Sequence, residues 1–323
     1  MKNLCLFEVA KIGDSVVTFP IMKALREHFV DYKIIRIVDE EMKDLFYGCP
    51  WIDDLVLYRR KNKITLFENL NRKCNIFINL HVPSNFRNRK IYLRDNFFSF
   101  MIGARRRIAY CRDFDCLFLT DPIKEKNCPD DHMIKKVSVL VKPLGVDVPF
   151  KYVIWTTKRG KEEMKEIFLK KSIPQKRLIV INPLSKQRIK DWQIDKWIRL
   201  TKNLNGKFPS LGFVFVGSYN DKNYINDIQK SLPFRTYSLA GDMRLYHLVP
   251  LFTETHLFIT VDTGPLHIAA ATGVRTVALF GSNNPSNLWQ PYMMRNVKVV
   301  EAPTISEIPL NTVMRAIQNI LST

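Results

Sequence analysis

The chain has 323 residues, 46% of them hydrophobic and 25% charged, which excludes a disordered polymer and suits two globular domains of ordinary size. Fifty Lys and Arg against 31 Asp and Glu leave a formal net charge of +19, which directs attention to anionic partners: nucleic acid, a membrane face or a phosphorylated substrate. No apolar run approaches the ~18–20 residues that a membrane-spanning helix requires.

In chain order, "NLCLFEV" reads as a buried strand and "AKIGDSV" as a loop turning into a helix, continued by "VTFPIMKALREHF" with apolar residues at helical spacing. The N-terminus lacks the apolar stretch and cleavage site of a signal peptide, so a cytoplasmic protein is expected. "KIIRIVD" is a second strand, "EMKDLFYGC" a short helix, and "DDLVLY", "NIFINL" and "RRIAYC" are further strands. Residues 59 to 112 carry fourteen Lys and Arg and two acids, Glu68 and Asp95, so most of the excess charge lies in one segment. Six cysteines (Cys5, Cys49, Cys74, Cys111, Cys116, Cys128) are scattered without CxxC pairs and read as free thiols of a reducing compartment.

The pattern restarts after residue 150. A charged helix follows "KYVIWTT"; "RLIVINP" is a strand; "DWQIDKWIRLTKNLN" is a helix that Asp191 is placed to cap. "GFVFVGS", "TYSLAG", "HLFITVD" and "TVALFG" are strands, separated by the helical patterns "NDKNYINDIQKSL", "RLYHLVPLF" and "PLHIAAATG", and "LNTVMRAIQNILS" is a closing helix. Strands alternating with helices predict parallel sheets covered on both faces. The expectation is an α/β protein of two doubly wound domains, 1–150 and 151–323, joined near residues 145 to 160 with a cleft between them.

Ligands of open α/β sheets bind beyond the carboxyl ends of the strands. One such end is "DTGPLH". Pro265 suits a first helical turn, Gly264 permits close approach, and the helix N-terminus favours phosphate. His267 can add a donor, whereas Asp262 suits sugar hydroxyls. The plainer reading is that Asp262 or Thr263 simply caps the helix. Three other strand ends carry Ser185, Lys186, Arg188 and Lys190; Gly217 and Ser218; and Gly241 and Met243. Together they offer small residues, cations and an apolar shelf, which a nucleotide needs. In the first half, Asp14 stands at the head of the first helix, either as an N-cap or as a general base, with Gly13 allowing a tight turn and Lys11 near an acceptor anion.

"DTGPLHIAAATGVRTVALFGSNNP" resembles the nucleotide-sugar signature of glycosyltransferase family 9, the heptosyltransferases, and "KIGDSVVTFPIMKALREHF", "KDW" at 190–192 and "LAG" before Met243 resemble further elements of that family. The resemblance runs collinearly from about residue 4 to residue 290. It implies the GT-B architecture, two Rossmann-like domains facing across a cleft: an N-terminal acceptor domain and a C-terminal nucleotide-sugar domain. It implies an inverting, metal-independent transfer of a heptose or related sugar from an ADP-sugar, with Asp14 as catalytic base and no cofactor. Donor contacts fall to Ser185, Lys190, Gly217, Met243, Asp262, Thr263, Gly264 and His267. Ser185 would bind the diphosphate and Met243 would pack on the base.

The implied acceptor is an anionic, lipid-linked lipopolysaccharide or lipooligosaccharide core at the inner leaflet. Lys11, Gly13, Arg59, Arg60 and Arg105 are its candidate contacts, with Lys61, Arg87, Arg89, Lys90, Arg106 and Arg107 in the same basic block. "FFSFMIGARRR" reads either as a core helix or as a segment at headgroup level. A monomer working peripherally at the inner membrane is expected, with no nucleic-acid partner. The family's acidic residue after the glycine of the "FVGS" turn has no clear counterpart in "GSYNDKN", where Asp221 is the candidate. Two alternatives stand: another GT-B enzyme such as a hydrolysing sugar-nucleotide epimerase, and a non-catalytic polyanion or nucleic-acid binder motivated by the charge.

Overall fold

The structure is a computed structural model that describes residues 2–58, 70, 73–82, 89–128, 132–174, 177–187, 191–281 and 286–322. Contacts divide the chain into two compact units, Met1–Val153 and Ile154–Thr323.

The first unit is built on six strands: β1 (Lys2–Phe7), β2 (Tyr32–Asp39), β3 (Asp54–Tyr58), β4 (Ile76–Asn79), β5 (Arg106–Cys111) and β6 (Asp121–Lys124). They pair in parallel in the order β3-β2-β1-β4-β5-β6. Its helices are α1 (Ile12–Val17), α2 (Phe19–His28), α3 (Arg89–Met101) and α4 (Met133–Ser138). "EMKDLF" is a tight 3₁₀ run rather than an α-helix, started by the Asp39 side chain accepting from Glu41 N at 3.1 Å. The inner strands are apolar almost throughout, as strands covered on both faces must be. An ion pair, Glu8 with Arg36, is sealed inside, with Arg36 fully buried.

The second unit repeats the plan with β7 (Leu178–Asn182), β8 (Gly212–Phe215), β9 (Tyr237–Ser238), β10 (Thr255–Val261), β11 (Thr276–Gly281) and β12 (Val297–Ala302), parallel in the order β12-β11-β10-β7-β8-β9. Its helices are α5 (Lys158–Lys170), α6 (Ile194–Lys207), α7 (Lys222–Lys230), α8 (Leu248–Thr253), α9 (Gly264–Thr272), α10 (Ser286–Trp289) and α11 (Leu310–Ser322). Trp192 and Trp197 meet edge to face at 5.0 Å in its core, and Trp192 Nε1 donates to Ile308 O. Helix α11 buries Leu310, Val313, Ala316, Ile317 and Ile320 along one face, which is why its apolar spacing predicts a closing helix.

Counted within each unit, both sheets run 3-2-1-4-5-6, the strand order of dinucleotide-binding folds. The order reverses between β1 and β4 in the first unit and between β7 and β10 in the second. In folds of this strand order, ligands bind beyond the carboxyl ends of the strands at such a reversal.

Three local expectations are corrected. Asp191 does not cap α6, whose N-cap is Gln193; its carboxylate instead accepts from Ser185 N at 2.8 Å, closing the loop after β7. Gly13 makes no tight turn: it is buried inside α1 and is not among the glycines with positive φ, because the helix has already begun at Ile12. The cysteines are not all free thiols. Cys111 and Cys116 are joined in a disulfide with Cα atoms 5.2 Å apart, because the chain folds back from β5 into a 3₁₀ turn, Phe114–Phe118.

Candidate functional site

The second unit gathers four turns along one edge of its sheet. The strands β10, β7, β8 and β9 are neighbours, so the segments after them lie side by side. These are the stretches that hold Asp262–His267, Ser185, Gly217–Ser218 and Gly241–Met243.

At the strand reversal, Asn182 ends β7 as a polar residue on an apolar strand. Its Nδ2 donates to Thr263 Oγ1 at 3.1 Å and faces Thr260 Oγ1 at 3.4 Å. Thr263 is the N-cap residue of α9, but its hydroxyl is turned to Asn182 and Thr260 and makes no capping bond to the helix. Pro265, at the second position, has no N–H, and Leu266 N bonds back to Thr263 O at 3.1 Å. The first turn of a helix has N–H groups without intrahelical acceptors, and they carry the positive end of its dipole. With the capping hydroxyl directed elsewhere, that end suits an anion. Asp262 is buried, with its backbone N–H tied to Leu279 O at 2.9 Å, and His267 is buried one turn into α9.

The next two turns lock together. Gly241 N donates to Gly217 O at 3.1 Å. A Cβ on Gly217 would lie 3.0 Å from Asp221 Cβ, so any larger residue there requires Asp221 to give way by a few tenths of an ångström. Asp221 Oδ2 accepts from Ser218 N at 2.8 Å and Ser218 Oγ at 2.6 Å, which turns this carboxylate back on its own loop. Met243 is half-buried. Ser185 Oγ accepts from Gln187 N at 3.2 Å, which leaves its own hydrogen to donate.

Behind Met243, Glu163 of α5 accepts from Tyr246 Oη at 2.7 Å, His247 Nε2 at 2.9 Å and Arg159 Nε at 2.8 Å. These bonds, that of His247 foremost, hold its carboxyl down at about 2. His247 Nδ1 in turn accepts from Arg244 N at 3.1 Å. The network fastens the 244–247 turn to α5. Its signal in the sequence was absent, since Glu163 is one charge in a charged helix.

In the first unit, Lys11 is the exposed N-cap residue of α1 and Asp14 the third residue of the helix. Asp14 Oδ2 accepts from Lys11 N at 3.2 Å, so the carboxylate reaches back over the helix start instead of capping it from outside. At the strand reversal, the buried His81 contacts Asp95 through Nδ1 at 2.9 Å and Val9 N through Nε2 at 3.2 Å. Neither His81 nor Asp95 is singled out by sequence spacing, because the two lie 14 residues apart on a strand end and a helix.

Arg105 is exposed. Its neighbours serve the fold: Arg106 pairs with Asp121 at 2.6 Å, and Arg107 donates to the carbonyls of Phe118 and Ala104, both at 2.6 Å. This corrects the expectation that all three arginines are available to a substrate. Arg59, Arg60, Lys61, Arg87, Arg188 and Lys190 lie outside the described residues, as do the side chains of Arg89 and Lys90. Among the described residues, no three His, Cys, Asp or Glu side chains gather as a set for a metal ion, and no helix is long and apolar enough to cross a membrane.

Comparison with known proteins gives the architecture first. A glycosyl transferase family 9 protein of Veillonella parvula superposes with a TM-score of 0.85 at 20% identity, over 99% of this chain and 97% of that one. The E. coli heptosyltransferase WaaC, solved with ADP-2-deoxy-2-fluoro heptose, superposes with a TM-score of 0.74 at 15% identity, over 99% of each chain. The fold is thus the GT-B class, two Rossmann-like α/β units. In sequence, the lipopolysaccharide core heptosyltransferase OpsX of Haemophilus influenzae is 21% identical over 294 residues, 88% of this chain and 80% of that protein. The profile of glycosyltransferase family 9 (heptosyltransferase) matches residues 92–309, more than half of the chain. The chain belongs to that family, and it is a glycosyltransferase.

Proposed function

We propose that the protein transfers a heptose, or a closely related sugar, from an ADP-sugar to the anionic core of a lipopolysaccharide or lipooligosaccharide, with inversion and without a metal. The observation that carries this reading is the turn Asp262–His267: a helix N-terminus whose capping hydroxyl is held aside by Asn182, at the strand reversal of the second sheet. A diphosphate leaving group gains negative charge as the glycosidic bond breaks, and a helix N-terminus stabilises that charge without a metal. The donor is the class of ligand carried by the WaaC neighbour.

In this reading Gly264 lets the phosphates approach the backbone, Ser185 donates its hydroxyl to them, and Lys190 supplies a cation. Met243 packs on the adenine, Gly217 keeps its loop clear, His267 adds a donor to the phosphates, and Asp262 meets sugar hydroxyls. The second unit is the donor domain and the first handles the acceptor. There Asp14 takes the proton from the acceptor hydroxyl as that oxygen attacks the anomeric carbon from the face opposite the nucleotide. Single displacement inverts the configuration, and a base of this kind contributes roughly 10²–10⁴ in rate. Lys11, Arg59, Arg60 and Arg105 attract acceptor anions, and the enzyme works peripherally at the inner membrane face as a monomer.

The test is transfer from ADP-heptose to a delipidated core oligosaccharide. The wild-type chain releases ADP only with acceptor present and forms the inverted linkage. Asp14→Asn retains ADP binding and loses roughly 10²–10⁴ in kcat. Release of free sugar or an epimerised nucleotide sugar in the absence of acceptor would overturn the reading in favour of a sugar-nucleotide hydrolase or epimerase.

A further inference from the structure

One face of the first unit exposes large apolar side chains that the fold does not use. Helix α3 turns Phe97, Phe100 and Met101 to solvent, each more than two fifths exposed, while Asp95, Asn96 and Ser99 on its other side are buried. The 3₁₀ turn after β5 adds Phe114, 60% exposed, and Leu117, 80% exposed. Three of these rings meet on a fourth. Phe118 lies 5.2 Å from Phe97, 5.8 Å from Phe100 and 6.5 Å from Phe114, ring centre to ring centre. The Cys111–Cys116 disulfide ties the turn to the end of β5, which fixes Phe114 and Leu117 beside α3. The mixture of buried polar and exposed aromatic residues on α3 is the reverse of a core helix. A contiguous apolar patch of this kind marks a surface that another apolar phase covers.

The surrounding charge says which phase. Arg107 stacks its guanidinium 5.6 Å above the Phe100 ring and hydrogen-bonds to the carbonyls of Phe118 and Ala104, with its charge shared by the Asp121 carboxylate. Arg105 is exposed at the end of α3, and Arg94 is exposed one turn before Phe97. Helix α3 opens on Arg89 and Lys90, within the segment that has fourteen basic residues and two acids. Of those acids, Asp95 is buried against His81 and Arg94. Arg112 is paired with Glu125, and Asp113 is exposed next to it. Aromatic side chains beside an exposed arginine fit the headgroup region of an anionic bilayer: the rings enter the boundary with the acyl chains and the Arg105 guanidinium meets lipid phosphates.

We propose that the face formed by α3 and the 3₁₀ turn Phe114–Phe118 is the membrane-docking surface of this enzyme, seated on an anionic lipid bilayer. The proposal deepens the reading of a lipid-linked acceptor and rests on that reading for its purpose. The first unit would then sit against the leaflet that holds the acceptor.

The experiment is flotation of the full chain with vesicles of phosphatidylcholine alone or of equimolar phosphatidylcholine and phosphatidylglycerol, without donor or acceptor. The chain is expected to float with the anionic vesicles, to release them as salt is raised, and not to float with the neutral ones. The triple variant Phe97→Ser/Phe100→Ser/Leu117→Ser should bind anionic vesicles at least about tenfold more weakly, with unchanged thermal unfolding and unchanged transfer to a delipidated acceptor. Leu169→Ser, which removes an apolar residue of the second unit that is 74% exposed, should leave vesicle binding as it was. If the triple variant fails to fold, the single variants Phe114→Ser and Leu117→Ser carry the comparison. Undiminished vesicle binding by folded patch variants overturns the proposal. So does a wild-type chain that ignores anionic vesicles but forms a dimer in sedimentation that the patch variants abolish, because the face is then an interface between copies. Transfer to the soluble acceptor is read separately, so loss of docking and failure of the transferase reading are told apart.

Discussion

His81 holds the backbone of Val9 from across the strand reversal of the first sheet: the Nε2 of the buried imidazole meets Val9 N at 3.2 Å, while Nδ1 faces Asp95 Oδ2 at 2.9 Å. The Asp95 carboxylate accepts from Nδ1, and Nε2 stands between Val9 N at 3.2 Å and Val9 O at 3.3 Å. The segment so anchored is the one that runs into Lys11 and Asp14. His81→Ala is expected to lower kcat by up to about 10²-fold, the order of effect that a misplaced catalytic group produces. The KM for the nucleotide sugar should stay near wild type, because the proposed function puts the donor turns in the other unit. Steady-state kinetics with varied donor decides; a rise in donor KM with kcat unchanged would contradict it.

The sealed pair of Glu8 and Arg36 predicts a large stability effect. Burial pushes the Arg36 guanidinium below its ordinary range, and the Glu8 carboxylate opposes that shift. Removing one partner leaves an uncompensated buried charge, so Glu8→Ala should destabilise the first unit by about 3–5 kcal/mol. The double variant Glu8→Leu/Arg36→Met should recover most of the loss. Urea unfolding of the three chains measures both quantities.

Acid should loosen the 244–247 turn through Glu163. Its carboxyl is held at about 2 when folded, below the ordinary value of 4.5. A depressed folded pKa contributes stability that is fully present above the unfolded value and is lost as pH falls through the folded one. The thermal midpoint of the wild-type chain should therefore exceed that of Glu163→Gln at neutral pH, and the gap should close between about pH 4.5 and about pH 2. A gap that stays constant over that range would mean that Glu163 acts only through packing.

Gly241 has φ of +71°, and a Cβ there would stand 2.8 Å from Tyr219 Cα. Left-handed backbone costs a non-glycine residue about 1–3 kcal/mol, and a contact with backbone cannot be relieved by turning a side chain. Gly241→Ala should destabilise the second unit by at least that much and shift the turn carrying Met243, weakening ADP binding. Calorimetric titration with ADP beside thermal unfolding tests the two effects. An alanine variant with native stability and affinity would show that the turn has room after all.

Much of the architecture was legible in the chain itself. Strands covered on both faces must be apolar throughout, so stretches such as "LIVIN" and "LFITV" announce themselves, and helices between them impose parallel pairing. The turns after the strands were legible for the same reason, since Gly217, Gly241, Asp262 and Gly264 break apolar runs. Local geometry was less so. Asp191 has the residue type of an N-cap, yet it bonds to Ser185 N because the loop after β7 offers that donor first.

What the sequence by itself determined, then, is the periodicity: which segments are strands, which are helices, and where polar residues interrupt them. Only the tertiary structure decided the partnerships. Sheet order brings Asn182 to Thr263 across 81 residues, and His81 to Val9 across 72, distances over which no spacing rule operates. Helix α3 shows the same division. Its aromatic run reads as core or surface until neighbouring elements choose which side to cover, and they take in Phe98 against Phe7 and Phe77 while leaving Phe97 and Phe100 to solvent.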